Sequence, residues 1–209
     1  MKAFRTLPIL LLVASLASCA NLELRHSGFL DHYEQLEPAP EAQVWGVPDE
    51  VELYRVDDLP GKYDKIILEP SVYHELPDVD DRPTKHKARK LLDYYDKSLR
   101  KYLGEDFEIV DTPGPRTARL RAAMTELDGQ APWLNWLGLL LIVPIDMGGI
   151  TGELEVVDSV TGERQLAMVA VREGTPFLLL ESFSKYGHAK HGMTKWARFV
   201  RDAMKKKEE

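Results

Sequence analysis

The chain has a single cysteine, Cys19, among its 209 residues. Whatever domain it forms must be held by packing and hydrogen bonding, because no intramolecular disulfide can close. That limit matters because the amino terminus reads as an export signal. Lys2 and Arg5 lead into the apolar run 7–16, and Leu16-Ala17-Ser18-Cys19 ends it with small residues and the lone thiol. A charged start, an apolar middle and a small-residue exit are the order of a secretory signal. A cysteine placed after Leu-Ala-Ser completes a lipobox. The run is shorter than the ~20 residues that a permanent spanning helix needs. Residues 1–18 are therefore expected to be removed between Ser18 and Cys19. Cys19 is expected to carry a diacylglyceryl thioether and a further acyl chain on its new amino group. Each buried methylene contributes about 0.8 kcal/mol, and more than one chain makes anchoring stable. The alternative is an incidental free thiol near a terminus.

Charge narrows the partners. The formal charge is −7, from 27 basic against 34 acidic residues, and losing Lys2 and Arg5 leaves 25 against 34. That balance argues against nucleic acid, which asks for a clustered basic surface.

Residues 19–50 are expected to be a lipidated tether, with Pro38, Pro40 and Pro48 interrupting any period. Within it Phe29, Leu30, Tyr33 and Leu36 are spaced like a short helix face, either packing onto the domain edge or forming a docking motif. Residues 51–209 are expected to form one domain. Residues 63–70 read as a strand whose continuous Ile66-Ile67-Leu68 run suits a place inside a sheet, closed by Pro70. Asp78, Asp80 and Asp81 form an acidic loop without the spacing of a calcium-binding hand.

Thr84 can cap a helix over 85–103, with Ala88, Leu91, Leu92, Tyr95, Leu99 and Tyr102 at steps of three and four and Gly104 as its stop. Tyr94, Tyr95 and Tyr102 read as core and rim packing, or alternatively as a ligand platform. Residues 107–111 read as a strand before the turn Pro113-Gly114-Pro115. Residues 119–127 alternate, with Arg119, Arg121 and Thr125 opposite Leu120, Ala122 and Met124. Arg116, Arg119 and Arg121 could form an anionic site or be paired and solvated. Residues 150–157 and 164–171 alternate about a loop from Asp158 to Gly162, the pattern of a hairpin in which Asp158 satisfies loop amides. Residues 194–207 form a closing amphipathic helix, its Lys205, Lys206 and Lys207 complementing the dipole.

The segment 133–145 is dense in apolar residues, with Trp133, Trp136, Leu140 and Ile142 among them. It reads as a buried strand with a covering loop, or as an oligomer or membrane interface.

Motifs for chemistry are sparse. There is no G-x-S-x-G, no P-loop, no G-x-G-x-x-G and no H-E-x-x-H. His188 and His191 are three apart between Gly187 and Gly192, which suggest a loop. Two imidazoles without a third ligand make a weak metal site. No cofactor and no catalytic residue are expected.

The lipobox at 16–19, Ser27-Gly28-Phe29-Leu30 with Tyr33 and Leu36, residues 63–70, 120–125 and 153–163 together resemble a family of proteobacterial lipoproteins of unknown function, domain of unknown function 3313. That resemblance transfers no catalytic residues. The element order also resembles envelope lipoproteins built on a small α/β sandwich similar to the amino-terminal domain of the Tol-system propeller protein. These include activators of peptidoglycan synthases and subunits of curli and exopolysaccharide export rings. Ala20 after Cys19, by resemblance to Gram-negative lipoproteins, implies outer-membrane sorting, with the domain facing the periplasm.

The expectation is an α/β (α+β sandwich) domain with a mixed sheet of four to five strands and two long packed helices. It is a non-enzymatic envelope accessory or interaction protein, held to the membrane by lipidated Cys19, with envelope proteins or cell-wall components as partners. A ring-forming homo-oligomeric accessory of export or envelope assembly is the alternative, and a metal-dependent enzyme using His188 and His191 is the second.

Overall fold

A computed structural model of the chain describes residues 24–39, 49–76, 85–128, 149–173 and 186–206. Cys19, Ser18, the acidic run Asp78, Asp80 and Asp81, and the apolar segment with Trp133, Trp136, Leu140 and Ile142 lie outside the described residues.

The strands are β1 (Glu37–Pro38), β2 (Asp49–Arg55), β3 (Lys65–Leu68), β4 (Val72–Tyr73), β5 (Glu108–Ile109), β6 (Thr117–Asp128), β7 (Gly149–Asp158) and β8 (Arg164–Glu173). The helices are α1 (Lys85–Leu103) and α2 (Gly187–Met204). All eight strands join one sheet in the order β1-β2-β8-β7-β6-β3-β5, with β4 also paired to β6. Pairings from β1 through β6 are antiparallel, whereas β3 and β4 run parallel to β6 and β5 runs parallel to β3.

The sheet thus has eight strands rather than four or five. Two of the additional strands, β1 and β4, are two residues long, too short to leave a period in sequence. The third, β2, pairs along its whole length with β8. Its Asp-Glu-Val-Glu-Leu-Tyr-Arg sequence alternates only weakly. Pro38 sits in the edge strand β1, where its missing N–H costs no interior ladder bond, and the following Ala39 N–H donates to the Val51 carbonyl at 2.8 Å.

Both helices cover one face of the sheet and run parallel to each other. Tyr94 meets Thr194 hydroxyl to hydroxyl at 2.9 Å, and further along Arg198 donates to the Tyr102 hydroxyl at 3.1 Å. The core between them joins Leu91, Tyr95 and Leu99 of α1 and Met193, Trp196 and Val200 of α2 to Leu120, Met124, Leu154, Val156 and Met168 of the sheet. The Tyr95 and Trp196 rings meet edge to face at 6.4 Å, a favoured arrangement of aromatic quadrupoles.

The closing helix begins at Gly187, not near residue 194 as expected, so His188 and His191 stand in its first turns. Gly192 explains the difference. A Cβ there would lie 2.8 Å from the Arg172 side chain and 3.2 Å from Ile150. That glycine lets helix and sheet approach closely; it does not mark a loop.

A second close approach sets a stability limit. A Cβ on Gly152 would stand 2.9 Å from Trp196 Cζ3 and 3.0 Å from the Ala123 carbonyl oxygen, and the carbonyl belongs to a ladder that cannot yield. Gly152→Ala is expected to destabilise the fold by about 1–3 kcal/mol, read as a lowered midpoint in urea unfolding.

Candidate functional site

The other face of the sheet carries Thr151, Glu153 and Glu155 on β7 and Ala167 and Val169 on β8. Alternation in sequence marks such a face as polar and half-open. Yet Glu153 is only 1% exposed, and Ala167 and Val169 are fully buried. The cover is the amino-terminal segment 24–36. Leu30 packs on Ala167 and Val169, with Leu24, Phe29, Tyr33, Leu36 and Tyr54 around it.

The segment is clamped at three places. At its start the Arg25 guanidinium donates to Glu126 at 3.3 Å, and the His26 ring stacks on Tyr33 at 4.2 Å while its Nε2 lies 2.7 Å from Glu52. At its centre the Glu153 carboxylate accepts from three donors. These are the Ser27 N–H at 2.6 Å, the Leu30 N–H at 3.3 Å and the Tyr33 hydroxyl at 2.6 Å. The Tyr33 oxygen in turn accepts the Gly28 N–H at 2.8 Å. Gly28 has φ +87°, the left-handed backbone that folds the chain around the carboxylate. At its far end Arg164 donates to the Asp31 and His32 carbonyls and to Glu155. Glu155 also accepts from Arg121, whose guanidinium lies 5.0 Å over the Phe29 ring.

Electrostatics follow from this burial. Desolvation first, and then the bond to Glu153, raise the Tyr33 phenol above its ordinary 10.0. A polar cavity of about 430 Å³ opens beside the far clamp, bounded by Asp31, His32, Glu155 and Arg164.

The three arginines considered together from sequence are not brought to one point. Arg116 pairs with Asp64, Arg119 with Glu69 at 3.2 Å and Arg121 with Glu155. Asp158 accepts the Val160 and Thr161 N–H groups, both at 2.9 Å, and those bonds hold its carboxyl below the usual carboxylate range. His188 is buried in α2, and among the described residues no three His, Cys, Asp or Glu side chains gather as a metal site. Tyr94 and Tyr95 pack in or against the helix core.

Sequence reasoning missed Glu153 as an acceptor for backbone amides. The available signal was a pair of acidic residues, Glu153 and Glu155, on the same face as Thr151 and opposite an amino-terminal Tyr33. Both Glu153 oxygens accept hydrogen bonds, so the group acts as a clamp on main-chain donors.

The family described as "Protein of unknown function (DUF3313)" matches residues 25–200. The Escherichia coli K12 protein named "Uncharacterized lipoprotein YdcL" is 26% identical over 179 residues, covering 79% of this chain and 78% of the relative. Among solved structures, a PelC dodecamer from Paraburkholderia phytofirmans is similar at 12% identity and a TM-score of 0.47, covering 77% of this chain and all of that one. A Xanthomonas campestris protein of the family DUF330 is similar at 9% identity and a TM-score of 0.38, covering 71% of this chain and 90% of the other.

Glu153→Ala is expected to free the amino-terminal segment, since hydrogen bonds to a charged group contribute about 1.5–3 kcal/mol. Hydrogen exchange at Ser27 and Leu30 should then quicken by about ten- to a hundredfold while α1 stays protected. The raised Tyr33 phenol gives the same clamp a pH limit. Its contribution is complete below pH 10.0 and is lost as pH rises through the folded value. Phenolate absorbance titrated alongside exchange at Leu30 should show both changes together, and Tyr33→Phe should abolish the coupling.

Proposed function

We propose, from the premise that this chain belongs to the DUF3313 family of proteins of unknown function, that it is a lipid-anchored envelope protein acting by binding and not by catalysis. Its acyl anchor is Cys19, its membrane is the outer membrane, and its domain faces the periplasm. Its partners are other envelope proteins or cell-wall components. The name of the E. coli relative, an uncharacterised lipoprotein, supports the anchor.

One observation carries the reading: the segment following the anchor is clamped to the sheet by Glu153, Arg164 and Leu30. Leu24 lies five residue steps beyond Cys19. A chain covers at most ~3.6 Å per residue, so acylated Cys19 holds Leu24 within about 18 Å. The domain is thereby kept close to the membrane, which suits presentation of a binding surface. The Glu153 carboxylate is already engaged by the chain's own donors, so it holds the segment and is not placed as an acid or base for turnover, which supports binding over catalysis.

The tryptic peptide 19–25 from membrane-extracted protein is expected to carry acyl chains on both the Cys19 sulfur and its amino group. Cys19→Ala is expected to leave residues 1–18 attached. An unmodified thiol at Cys19 would refute the anchor. Crosslinking in cells should capture envelope proteins or cell-wall fragments on the acylated chain, whereas turnover of a periplasmic substrate by the purified protein would refute the binding reading.

A further inference from the structure

Most of the described basic side chains on the sheet and its connecting turns are paired. Arg25 meets Glu126, Lys62 meets Asp58, Lys65 meets Glu108, Arg116 meets Asp64 and Arg119 meets Glu69. The groove between the first halves of α1 and α2 departs from that pattern. Helix α1 carries seven Lys and Arg residues against two Asp. One of the two, Asp96, is engaged by the Ser71 N–H at 3.0 Å.

The groove encloses about 490 Å³. Lys87, Lys90, Lys97 and Lys190 line it, with the ring of Tyr94 among them and Asp93 as the one carboxylate among its described lining residues. Lys87, Lys90 and Lys97 reach no carboxylate among the described residues, and the Lys190 ammonium lies 5.5 Å from the Tyr94 ring centroid. Ammonium groups converging on a concave, partly aromatic surface ask for an anion supplied from outside. The amino-terminal ends of both helices add positive potential to the same place.

Position selects the anion. Gly192 of α2 packs on Ile150 and Arg172, at the start of β7 and the end of β8. Asp96 of α1 lies beside Ser71, just before β4, which pairs with Ala123 and Met124 of β6. The first turns of both helices therefore extend toward the end of the sheet where β6 finishes. Arg25 is bonded to Glu126 at that same end. The groove and the exit of the anchored segment thus share one end of the molecule.

We infer that this groove seats the phosphate of an anionic lipid headgroup in the membrane that holds Cys19, an inference that rests on the anchored reading above. The anchor supplies the proximity that charge attraction needs, since fields fade within about 8 Å at physiological salt. The lysines then set which face of the domain meets the lipid.

The test uses the acylated chain, extracted in detergent and reconstituted on vesicles of phosphatidylcholine alone or mixed with phosphatidylglycerol. Lysine reductive methylation is followed by peptide mass. A lysine near an anionic surface is worth about fivefold in binding. Lys87, Lys90 and Lys190 are therefore expected to react about fivefold more slowly on the anionic vesicles, with the protection lost in high salt. Lys62 and Lys65, toward the opposite end, should react equally on both vesicles. Lys90→Glu with Lys190→Glu, both exposed, should remove the protection of Lys87 without lowering the melting temperature. Equal labelling on both vesicles would overturn the inference. Protection by inorganic phosphate on phosphatidylcholine vesicles would overturn the lipid as its source. A chain that floats with both vesicles but shows no difference refutes the groove alone. A chain that floats with neither refutes the anchor and this inference together.

Discussion

A carboxylate withdrawn from water must be given donors, and Glu153 is the group whose demand shapes this molecule. It stands on β7, between the long antiparallel strands β6 and β8, and is 1% exposed. An uncompensated charge there would cost several kcal/mol. Among the described residues its donors come from the amino-terminal segment, two main-chain amides and the Tyr33 hydroxyl. Each side needs the other. The carboxylate is tolerable only when the segment is docked, and the segment folds back through Gly28 only because the carboxylate gathers its amides.

That docking explains why β8 can be continuously buried. Residues 165–172 alternate between the helix layer and the covered face, and all are buried. Leu166, Met168 and Ala170 join the helix core, while Ala167 and Val169 receive Leu30. A single polypeptide without a disulfide thereby obtains a three-layered section from two helices and one sheet. The sheet margins are short, with two-residue strands β1 and β5 at either end of the order. Brief margins of this kind limit the unpaired backbone offered to other chains.

What the sequence revealed follows from the range of each signal. Helix α1 was legible because Ala88, Leu91, Tyr95 and Leu99 repeat within one element, and β7 and β8 because two alternating runs flank Gly162. The start of α2 was misread because glycine is a weak helix former, whereas Gly192 is required by the Arg172 and Ile150 contacts that only the folded molecule reveals. Two-residue strands carry no periodicity at all. The covered face was hidden for a different reason. Alternation states that Glu153 and Leu154 point oppositely, but it cannot state what lies over Glu153 when the cover is 120 residues away at Tyr33.

The same long-range contact determines how an anchored domain would bear load. The Arg25 contact with Glu126 is exposed, and exposed pairs contribute little, about 0–1 kcal/mol. Farther along, the segment meets Glu153, where charge-assisted bonds in a buried setting are stronger and stiffer. Tension drawn through residue 24 would therefore be carried chiefly by β7, the strand bonded on both sides to ten-residue or longer neighbours. Placing the clamp there, and not on the two-residue edge strand β1, directs the pull into the most extensively bonded part of the sheet. The helix layer on the opposite face would be spared direct traction.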